Sequence, residues 1–216
     1  MFDYNEIKCG NKIEKIIIMF HGYGSNKDDL INLVPDVSKY CQNTVFISAS
    51  APQALEMTPS KGGRQWFSLL NRSPEYLLNG LQNVASSVTN FIESMLIKYG
   101  LTNKSLGLLG FSQGSMLSLY LILENLINPK VVIAFSGWIF KNNWQQLNKN
   151  YTKILLLHGR DDNVVPFSTM SVTAEIIKNR GYEVQTHISN NLGHGIDKVG
   201  IKEAGIFLKN NFRDVY

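Results

Sequence analysis

The sequence predicts an α/β fold, a single domain in which helices cover both faces of a mostly parallel sheet. Five short runs that are apolar throughout recur along the 216 residues, as is typical of strands buried on both faces. Stretches with the helical spacing of apolar residues separate them, and this alternation predicts a parallel sheet. The length is normal for one α/β domain, and no repeat, linker or second core interrupts residues 1–216. We therefore expect one domain without a large separate lid.

The predicted strands are rich in β-branched residues. A sixth run, residues 182–189, alternates apolar and polar side chains and therefore predicts a strand nearer the edge of the sheet. The five runs that are apolar throughout cover residues 15–20, 44–49, 105–110, 130–136 and 153–159.

The clearest predicted helix begins after Ser73, a capping residue followed by Pro74 at the first helical position, and ends at Gly100. Its apolar residues recur at steps of three and four, which places them on one face of the helix. A shorter helix over residues 28–40 is less regular because it contains a proline. The remaining predicted helices cover residues 114–127, 168–180 and 197–211.

The segment from Ala51 to Arg72 interrupts the alternation of strands and helices. It contains two prolines and two glycines and shows no clear periodicity, which is typical of a functional loop or of a long surface excursion. The end of the segment is too apolar to remain in water, so we expect Trp66, Phe67, Leu69 and Leu70 to pack against something.

Composition and charge exclude several classes of protein. The net charge of +4 comes from dispersed lysines with no basic run, so we expect no nucleic-acid partner. The two cysteines, Cys9 and Cys41, lie in no metal-ligand spacing and are expected to be reduced. The N-terminal residues lack the apolar segment of a secretory signal, and no apolar run is long enough to span a membrane. We expect a cytoplasmic, soluble protein with no stable membrane insertion.

One serine lies between two glycines where a predicted strand meets a predicted helix. Gly110-Phe-Ser112-Gln-Gly114 fits the pattern G-x-S-x-G. Between a buried strand and a helix, this pattern predicts a nucleophile elbow, a strained turn that projects the serine hydroxyl above the sheet. The alternative is a glycine-rich turn without chemistry. The flanking strand and helix favour the elbow, with Ser112 as a nucleophile.

A serine nucleophile requires a base, and the chain offers four histidines. In α/β-hydrolases the order along the chain is serine, acid, histidine. His21 precedes Ser112, and His158 precedes the plausible acids. His187 lies within an alternating strand, on its polar face, where solvation explains it. His194 lies between two glycines in the loop after the last strand, at the sheet edge where ligands bind in open α/β folds. We therefore predict His194 as the base.

Three aspartates are candidates for the acid that orients the base. Asp197 lies three residues after His194 at the start of a predicted helix, where a capping role explains it. Asp161 and Asp162 both follow the strand 153–159, and spacing alone favours neither of the two.

Five blocks spread over nearly the whole chain resemble the bacterial phospholipase/carboxylesterase family of α/β-hydrolases, which includes the acyl-protein thioesterases. The blocks are FHGYGSNKDDL (20–30), APQ…GRQWFSL (51–69), GFSQGS (110–115), HGRDDNVVP (158–166) and GHG (193–195), with a weaker sixth, FSGWI (135–139).

The resemblance implies an α/β-hydrolase fold and selects Asp162, because the family's acid is the fifth residue of the H-G-x-x-D block. The chain departs from the family at Ser115, where many relatives have glycine, and at Tyr23 and Ser25, where eukaryotic relatives have leucine and aspartate. The second departure concerns substrate preference and not the reaction.

The resemblance also implies a mechanism without metal or cofactor. Ser112 would attack an acyl ester or thioester, small or lipid-like, while His194 carries the proton and Asp162 fixes the imidazole. The backbone N–H of the residue after the nucleophile, Gln113, would form one half of the oxyanion hole. The H-G-Y-G stretch resembles the family's second oxyanion loop and nominates the N–H of Tyr23.

An acyl chain requires an apolar groove, and several apolar residues are candidates for its wall, although ordinary core packing explains each of them as well. These candidates are Trp66, Phe67, Leu69, Trp138, Ile139, Val165 and Phe167. Two other functions remain possible on the sequence alone: a different α/β-hydrolase, of the dienelactone-hydrolase or peptidase type, and a catalytically silent binding protein. Retention of Ser112, Asp162 and His194 together argues against the silent protein.

Overall fold

The computed structural model describes residues 2–56, 62–140, 142, 144 and 151–212. Nine strands occur in these residues, seven of them in one sheet. In chain order they are β1 (Tyr4–Cys9), β2 (Lys15–Phe20), β3 (Thr44–Ala49), β4 (Gln53–Ala54), β5 (Arg64–Gln65), β6 (Leu106–Phe111), β7 (Val131–Phe135), β8 (Lys153–Gly159) and β9 (Glu183–Ser189).

The large sheet has the strand order β1-β3-β2-β6-β7-β8-β9. Every neighbouring pair is parallel except β1 and β3, which are antiparallel. The two short strands β4 and β5 pair with each other in a separate antiparallel ribbon. The predicted α/β fold with a mostly parallel sheet is confirmed, and the carboxyl ends of β2, β6, β7, β8 and β9 share one edge.

The described residues form six α-helices, with 3-10 turns at Ile31–Leu33, Ser38–Tyr40 and Asn103–Ser105. The α-helices are α1 (Lys27–Leu30), α2 (Val34–Val37), α3 (Pro74–Tyr99), α4 (Gln113–Leu123), α5 (Ser168–Asn179) and α6 (Lys198–Asn211). The ends of α3 are as predicted: the Ser73 hydroxyl accepts a hydrogen bond from the Tyr76 N–H at 3.4 Å, and Gly100 ends the helix with a left-handed φ of 62°.

The helix predicted over residues 28–40 is broken into single turns. Helices α1 and α2 are four residues each, and 3-10 turns follow both of them. Pro35 lies in the first turn of α2, where a backbone N–H would have no hydrogen-bond partner within the helix, so proline is tolerated there. Pro35 therefore starts a new helical turn and ends the previous one.

Strand β1 was not predicted. Its sequence, YNEIKC, is neither continuously apolar nor strictly alternating, and its residues are half-buried or exposed. It pairs only with β3, so it forms an edge of the sheet and does not require two apolar faces. The hydrophobic pattern predicts buried strands more readily than an edge strand of this kind.

The sheet separates two hydrophobic cores. Alternate residues of β2 supply both: Ile16, Ile18 and Phe20 on one face, Ile17 and Met19 on the other. Helices α3, α4 and α5 complete the larger core, whereas α1, α2 and α6 complete the smaller one. This two-sided burial is the physical reason that the central strands are apolar throughout. Residues from the helices include Leu81, Val88, Ile92, Leu117, Leu121 and Ile177 in the larger core and Leu30, Val34, Ala204 and Leu208 in the smaller one.

The described residues contain neither a membrane-spanning helix nor a cluster of metal ligands. No helix in the described part of the chain is both long and apolar enough to cross a membrane. Nor do His, Cys, Asp and Glu side chains there form a group of three or more that could hold a metal ion.

Candidate active site

Ser112 lies at the turn between β6 and α4 in a strained backbone conformation. Its φ is 51° and its ψ is −112°, a region that non-glycine residues rarely adopt. The Ser112 N–H donates to the Phe135 carbonyl at 2.8 Å, which ties the turn to the neighbouring strand β7. The strain therefore falls on the serine itself.

The glycine two residues after Ser112 is required by close packing. A Cβ on Gly114 would lie 1.9 Å from the Phe20 carbonyl oxygen, far inside van der Waals contact. Helix α4 therefore begins directly against the carboxyl end of β2, and no side chain fits between them. This close approach explains the second glycine of the G-x-S-x-G pattern.

Two hydrogen bonds connect Ser112, His194 and Asp162. The His194 Nε2 lies 3.0 Å from the Ser112 Oγ, and the His194 Nδ1 lies 2.7 Å from the Asp162 Oδ2. Because a carboxylate only accepts, Nδ1 carries the proton and Nε2 is left to accept from the serine hydroxyl. This arrangement can remove the hydroxyl proton as Ser112 attacks. The ring of Phe111 packs against the imidazole of His194, with the ring centroids 5.0 Å apart.

Asp162 is buried and surrounded by donors. Its Oδ1 accepts hydrogen bonds from the N–H groups of Val164 at 2.9 Å and Val165 at 2.8 Å. Burial alone raises the pKa of the Asp162 carboxyl, but the hydrogen bonds from His194, Val165 and Val164 outweigh it and hold the pKa below its ordinary value. Asp162 is therefore ionised at neutral pH.

The structure separates the three aspartates that spacing left open. Asp161 is exposed, one residue from the contact with His194. Asp197 caps α6, since its Oδ1 accepts from the Gly200 N–H at 2.7 Å and also from the Ser189 hydroxyl at 3.1 Å. Asp162 is the aspartate that contacts His194.

Two backbone N–H groups near Ser112 have no protein acceptor within the described residues: those of Tyr23 and Gln113. Gln113 is the first residue of α4, where the N–H has no partner within the helix. The H-G-Y-G loop contacts the elbow, because a Cβ on Gly22 would lie 3.5 Å from the Ser112 Cβ. One N–H thus belongs to the residue after Ser112 and the other to the residue after Gly22, and two donors without a protein acceptor can bind an oxyanion.

A buried histidine fixes the H-G-Y-G loop. The His21 Nε2 accepts from the Ala51 N–H at 3.0 Å, and its Nδ1 lies 2.7 Å from the Gly22 carbonyl, so Nδ1 carries the proton. Burial lowers the pKa of His21, which keeps the imidazole neutral. The indole N–H of Trp66 donates to the His21 carbonyl at 2.9 Å. His21 therefore has a structural role in this loop.

The side chain of Gln113 is a contact that sequence reasoning missed. It is buried; its Oε1 accepts from the Trp66 N–H at 2.9 Å, and its amide donates to the Phe67 carbonyl at 2.7 Å. The residue after the serine thus ties the elbow to the segment that follows β5. The sequence signal that could have indicated this contact was a polar residue at the start of a mostly apolar helix.

Not all predicted wall residues reach the surface. Trp66, Phe67 and Ile139 are 0%, 1% and 1% exposed, and all three belong to the larger core. A side chain without accessible surface cannot contact a substrate, so in this structure these three are core residues and not lining residues. Val165 is buried as well. The partly exposed residues of the predicted set are Leu69, Trp138 and Phe167.

A cavity of about 1030 Å³ lies elsewhere on the described surface. Its walls come from the N-terminal residues, α1, residues 50–52 and α3, and they include none of Ser112, Asp162 and His194. The hydrogen-bonded side chains therefore locate the candidate active site, and cavity size does not.

Comparisons with known proteins give the family of the chain. The phospholipase/carboxylesterase family matches residues 3–212, nearly the entire chain. The esterase YpfH of Escherichia coli is 26% identical over 196 residues, which cover 88% of this chain and 80% of that protein. An acyl-protein thioesterase 1 of Gibberella zeae is 27% identical over 119 residues, 52% of this chain and 51% of that protein.

Solved structures agree with this result. The crystal structure of esterase PE8 superposes with a TM-score of 0.87 at 28% identity, covering 98% of this chain and 99% of that one. A carboxylesterase of Bacillus cereus superposes with a TM-score of 0.81 at 15% identity, covering 98% and 95% of the two chains, which shows the shared fold. The chain belongs to the phospholipase/carboxylesterase family and is a carboxylic ester hydrolase of the α/β-hydrolase fold.

Proposed function

We propose that the chain cleaves carboxylic esters or thioesters through an acyl-enzyme, with Ser112 as nucleophile, His194 as general base and acid, and Asp162 as the orienting carboxylate. The observation that carries this proposal is the pair of hydrogen bonds from Ser112 to His194 at 3.0 Å and from His194 to Asp162 at 2.7 Å. Three residues separated by 82 and 32 positions along the chain meet at the carboxyl edge of one parallel sheet.

The reaction follows from the direction of these hydrogen bonds. The Ser112 Oγ bonds to the acyl carbon while the His194 Nε2 takes the hydroxyl proton, giving a tetrahedral oxyanion. His194 then returns the proton to the leaving alkoxide or thiolate as the acyl bond to it breaks, which leaves an ester on Ser112. A water molecule, deprotonated by His194 in the same way, attacks this ester. The bond from the Ser112 Oγ to the acyl carbon then breaks, His194 returns the proton to Ser112, and the carboxylic acid leaves. Asp162 remains ionised and stabilises the imidazolium in both halves.

We assign the oxyanion hole to the backbone N–H groups of Tyr23 and Gln113. Their lack of a protein acceptor within the described residues supports the assignment. In other enzymes, loss of one such donor raises the barrier by about 2.7–4 kcal/mol. Since both donors belong to the backbone, their positions depend on the contacts that fix the backbone. These contacts are the hydrogen bonds of His21 with Ala51 and of Gln113 with Trp66.

The substrate class is a small-molecule or lipid-like acyl ester or thioester. The names of relatives, an esterase and an acyl-protein thioesterase, support this breadth. We assign contact with the acyl chain to the partly exposed apolar residues Leu69, Trp138 and Phe167. An apolar wall distinguishes chains that differ by one methylene by only about 1–3 kcal/mol, so we expect a graded preference for acyl length.

A fluorophosphonate probe tests the proposal, because it reacts with a serine only when that serine is activated. The folded wild type should be labelled, mass spectrometry should locate the adduct on Ser112, and the Ser112→Ala variant should remain unlabelled. Ser171→Ala, at an exposed position of α5, is the control and should be labelled like the wild type. A folded wild type that stays unlabelled would refute the proposed mechanism.

A further inference from the structure

A second buried histidine contacts the carboxylate of Asp162 and has no part in the mechanism above. His158 lies near the end of β8, with its side chain 1% exposed. Its Nε2 is 3.2 Å from the Asp162 Oδ2, the same oxygen that accepts from His194, and 2.9 Å from the Val165 carbonyl oxygen. One carboxylate oxygen therefore lies between two imidazole rings.

The Val165 carbonyl decides which nitrogen of His158 carries the proton. A carbonyl oxygen can only accept a hydrogen bond, so the His158 Nε2 must be the donor. The same nitrogen lies 3.2 Å from the Asp162 Oδ2, which is a close contact and not a hydrogen bond. His158 thus acts on Asp162 through Val165, whose own N–H donates to the Asp162 Oδ1.

Three donors among the described residues bind Asp162. The N–H groups of Val164 and Val165 bind Oδ1, whereas His194 binds Oδ2. The first two belong to the turn whose Val165 carbonyl accepts from His158. The third, His194, is the group that the carboxylate orients.

We propose that His158 is a positioning residue: its Nε2–H donates to the Val165 carbonyl and so holds the turn from Asp162 to Val165 in the place from which Asp162 orients His194. This inference rests on the proposed function of Ser112, His194 and Asp162. His158 itself is buried, touches neither the serine nor the base, and transfers no proton.

Among the described residues, the charged group in contact with His158 is the carboxylate of Asp162. On the sheet edge its strand register places it beside Ile188 of β9. The ring of Phe167 packs edge-on to the imidazole, with centroids 6.1 Å apart, and the Arg160 guanidinium lies 5.4 Å from the centroid of the Phe167 ring. The aromatic ring of Phe167 therefore contacts both His158 and the cation of Arg160.

A matched pair of variants tests the role of the donor. His158→Gln offers an amide N–H at the end of the side chain, whereas His158→Met has a similar length and no donor. We expect kcat of His158→Met to fall about tenfold, the factor that corresponds to the loss of one hydrogen bond, with KM changed less than twofold. His158→Gln should regain most of that loss.

The pH profile separates positioning from a merely structural effect. Without the His158 bond to the Val165 carbonyl, the turn holds the Val164 and Val165 N–H groups less firmly on Oδ1. The carboxylate charge is then shared with fewer donors and binds the imidazolium of His194 more strongly. The acid limb of kcat/KM in His158→Met should therefore move to higher pH, and His158→Gln should restore it. A profile for His158→Met that superposes on that of the wild type would overturn the proposal.

A measurement on the wild type keeps the proposal testable if both variants fail to fold. Nitrogen-15 NMR of the imidazoles should find the His158 proton on Nε2, and a proton on Nδ1 alone would overturn the proposal. Fluorophosphonate labelling distinguishes the two levels of inference. A folded wild type that stays unlabelled would refute the proposed function. A labelled wild type together with a His158→Met variant whose kcat and pH profile equal those of the wild type would refute only the role of His158.

Discussion

At the scale of single residues, two histidines near the end of the chain test the assignment of the base. We expect His194→Ala to lower kcat by about 10³-fold or more, because Ser112 loses the group that removes its proton. His187→Ala is the control: His187 lies within β9, and its Nε2 has no hydrogen-bond partner among the described residues. Steady-state hydrolysis of a p-nitrophenyl ester measures both. Equal losses from the two variants would show that the base is misassigned.

A second prediction at this scale concerns the dependence of stability on pH. The pKa of Asp162 is lowered in the folded state, so its ionised form stabilises the protein at pH values above the ordinary value of 3.8. That contribution is lost as the pH falls through the lowered, folded-state pKa. We therefore expect Asp162→Asn to reduce the free energy of unfolding at pH 7, and the difference from wild type to shrink below about pH 4.

Urea titrations at pH 7 and at several values from pH 4 downwards measure this difference. Asp161→Asn, at the exposed neighbouring carboxylate, controls for the loss of one charge in the same loop and should change stability at pH 7 by less than about 0.5 kcal/mol. A constant difference between Asp162→Asn and wild type over the whole pH range would contradict the prediction.

The limits of sequence-based prediction are clearest at this scale. Asp161 and Asp162 are neighbours of one residue type, and which of them turns toward His194 is set by the hydrogen bonds of Val164 and Val165. Likewise, the apolar character of Trp66 indicates burial but not whether the partner is a substrate or the core. Both questions depend on contacts between distant parts of the chain, which local patterns do not contain.

At the scale of elements, the start of α4 gives a prediction whose sign is decided by packing. Replacing glycine by alanine in a helix normally stabilises it by about 1 kcal/mol. Gly114→Ala should instead destabilise the protein by about 3 kcal/mol or more, because the new Cβ would lie 1.9 Å from the Phe20 carbonyl oxygen and backbone cannot easily move there.

Thermal and urea unfolding of Gly114→Ala measure this effect, with Gly195→Ala as the matched control. A Cβ on Gly195 would find only the Leu192 side chain at 3.8 Å, an ordinary contact, so we expect a change within about 1 kcal/mol. If both variants unfold at the same urea concentration, the close approach of α4 to β2 is not as tight as the structure has it.

The helices and strands whose formation depends on local sequence signals were predicted, whereas the strands that depend on pairing with another part of the chain were not. The buried strands and α3 follow from hydrophobic pattern and caps, which act locally. Strand β1 forms because it can hydrogen-bond to the edge of β3. Strands β4 and β5 are two residues each, and their composition does not predict that they pair. Residues 57–61, within the segment predicted as a functional loop, lie outside the described residues.

At the scale of the whole molecule, the meeting of Ser112, Asp162 and His194 follows from topology. Each residue follows a parallel strand, and the carboxyl ends of β6, β8 and β9 lie at the same edge of the sheet. Connections between parallel strands return the chain to this edge each time, so distance along the sequence is no obstacle. The order of the strands and the residues that follow their carboxyl ends suffice to predict that Ser112, Asp162 and His194 lie close together. The contact of Asp162 with His158 is visible only in the structure.

The remaining prediction concerns cooperativity, since the expectation of one domain over residues 1–216 is tested by unfolding. Leu121 is fully buried in the larger core and Leu208 in the smaller one, on opposite faces of the sheet. Leu121→Ala and Leu208→Ala should each lower the free energy of unfolding by about 2–5 kcal/mol. Because both faces belong to the same strands, each variant should shift one shared transition and leave it a single transition.

Circular dichroism and tryptophan fluorescence, followed in the same urea titration, measure whether the transition is shared. Ile97→Ala, at a side chain that is 81% exposed on α3, is the control for a shortened apolar residue and should change stability by less than about 0.5 kcal/mol. If Leu208→Ala unfolds in two steps, with one probe preceding the other, the smaller core melts separately. In that case α6 and the His194 loop before it would be lost before the rest of the sheet, and activity would disappear in the first step.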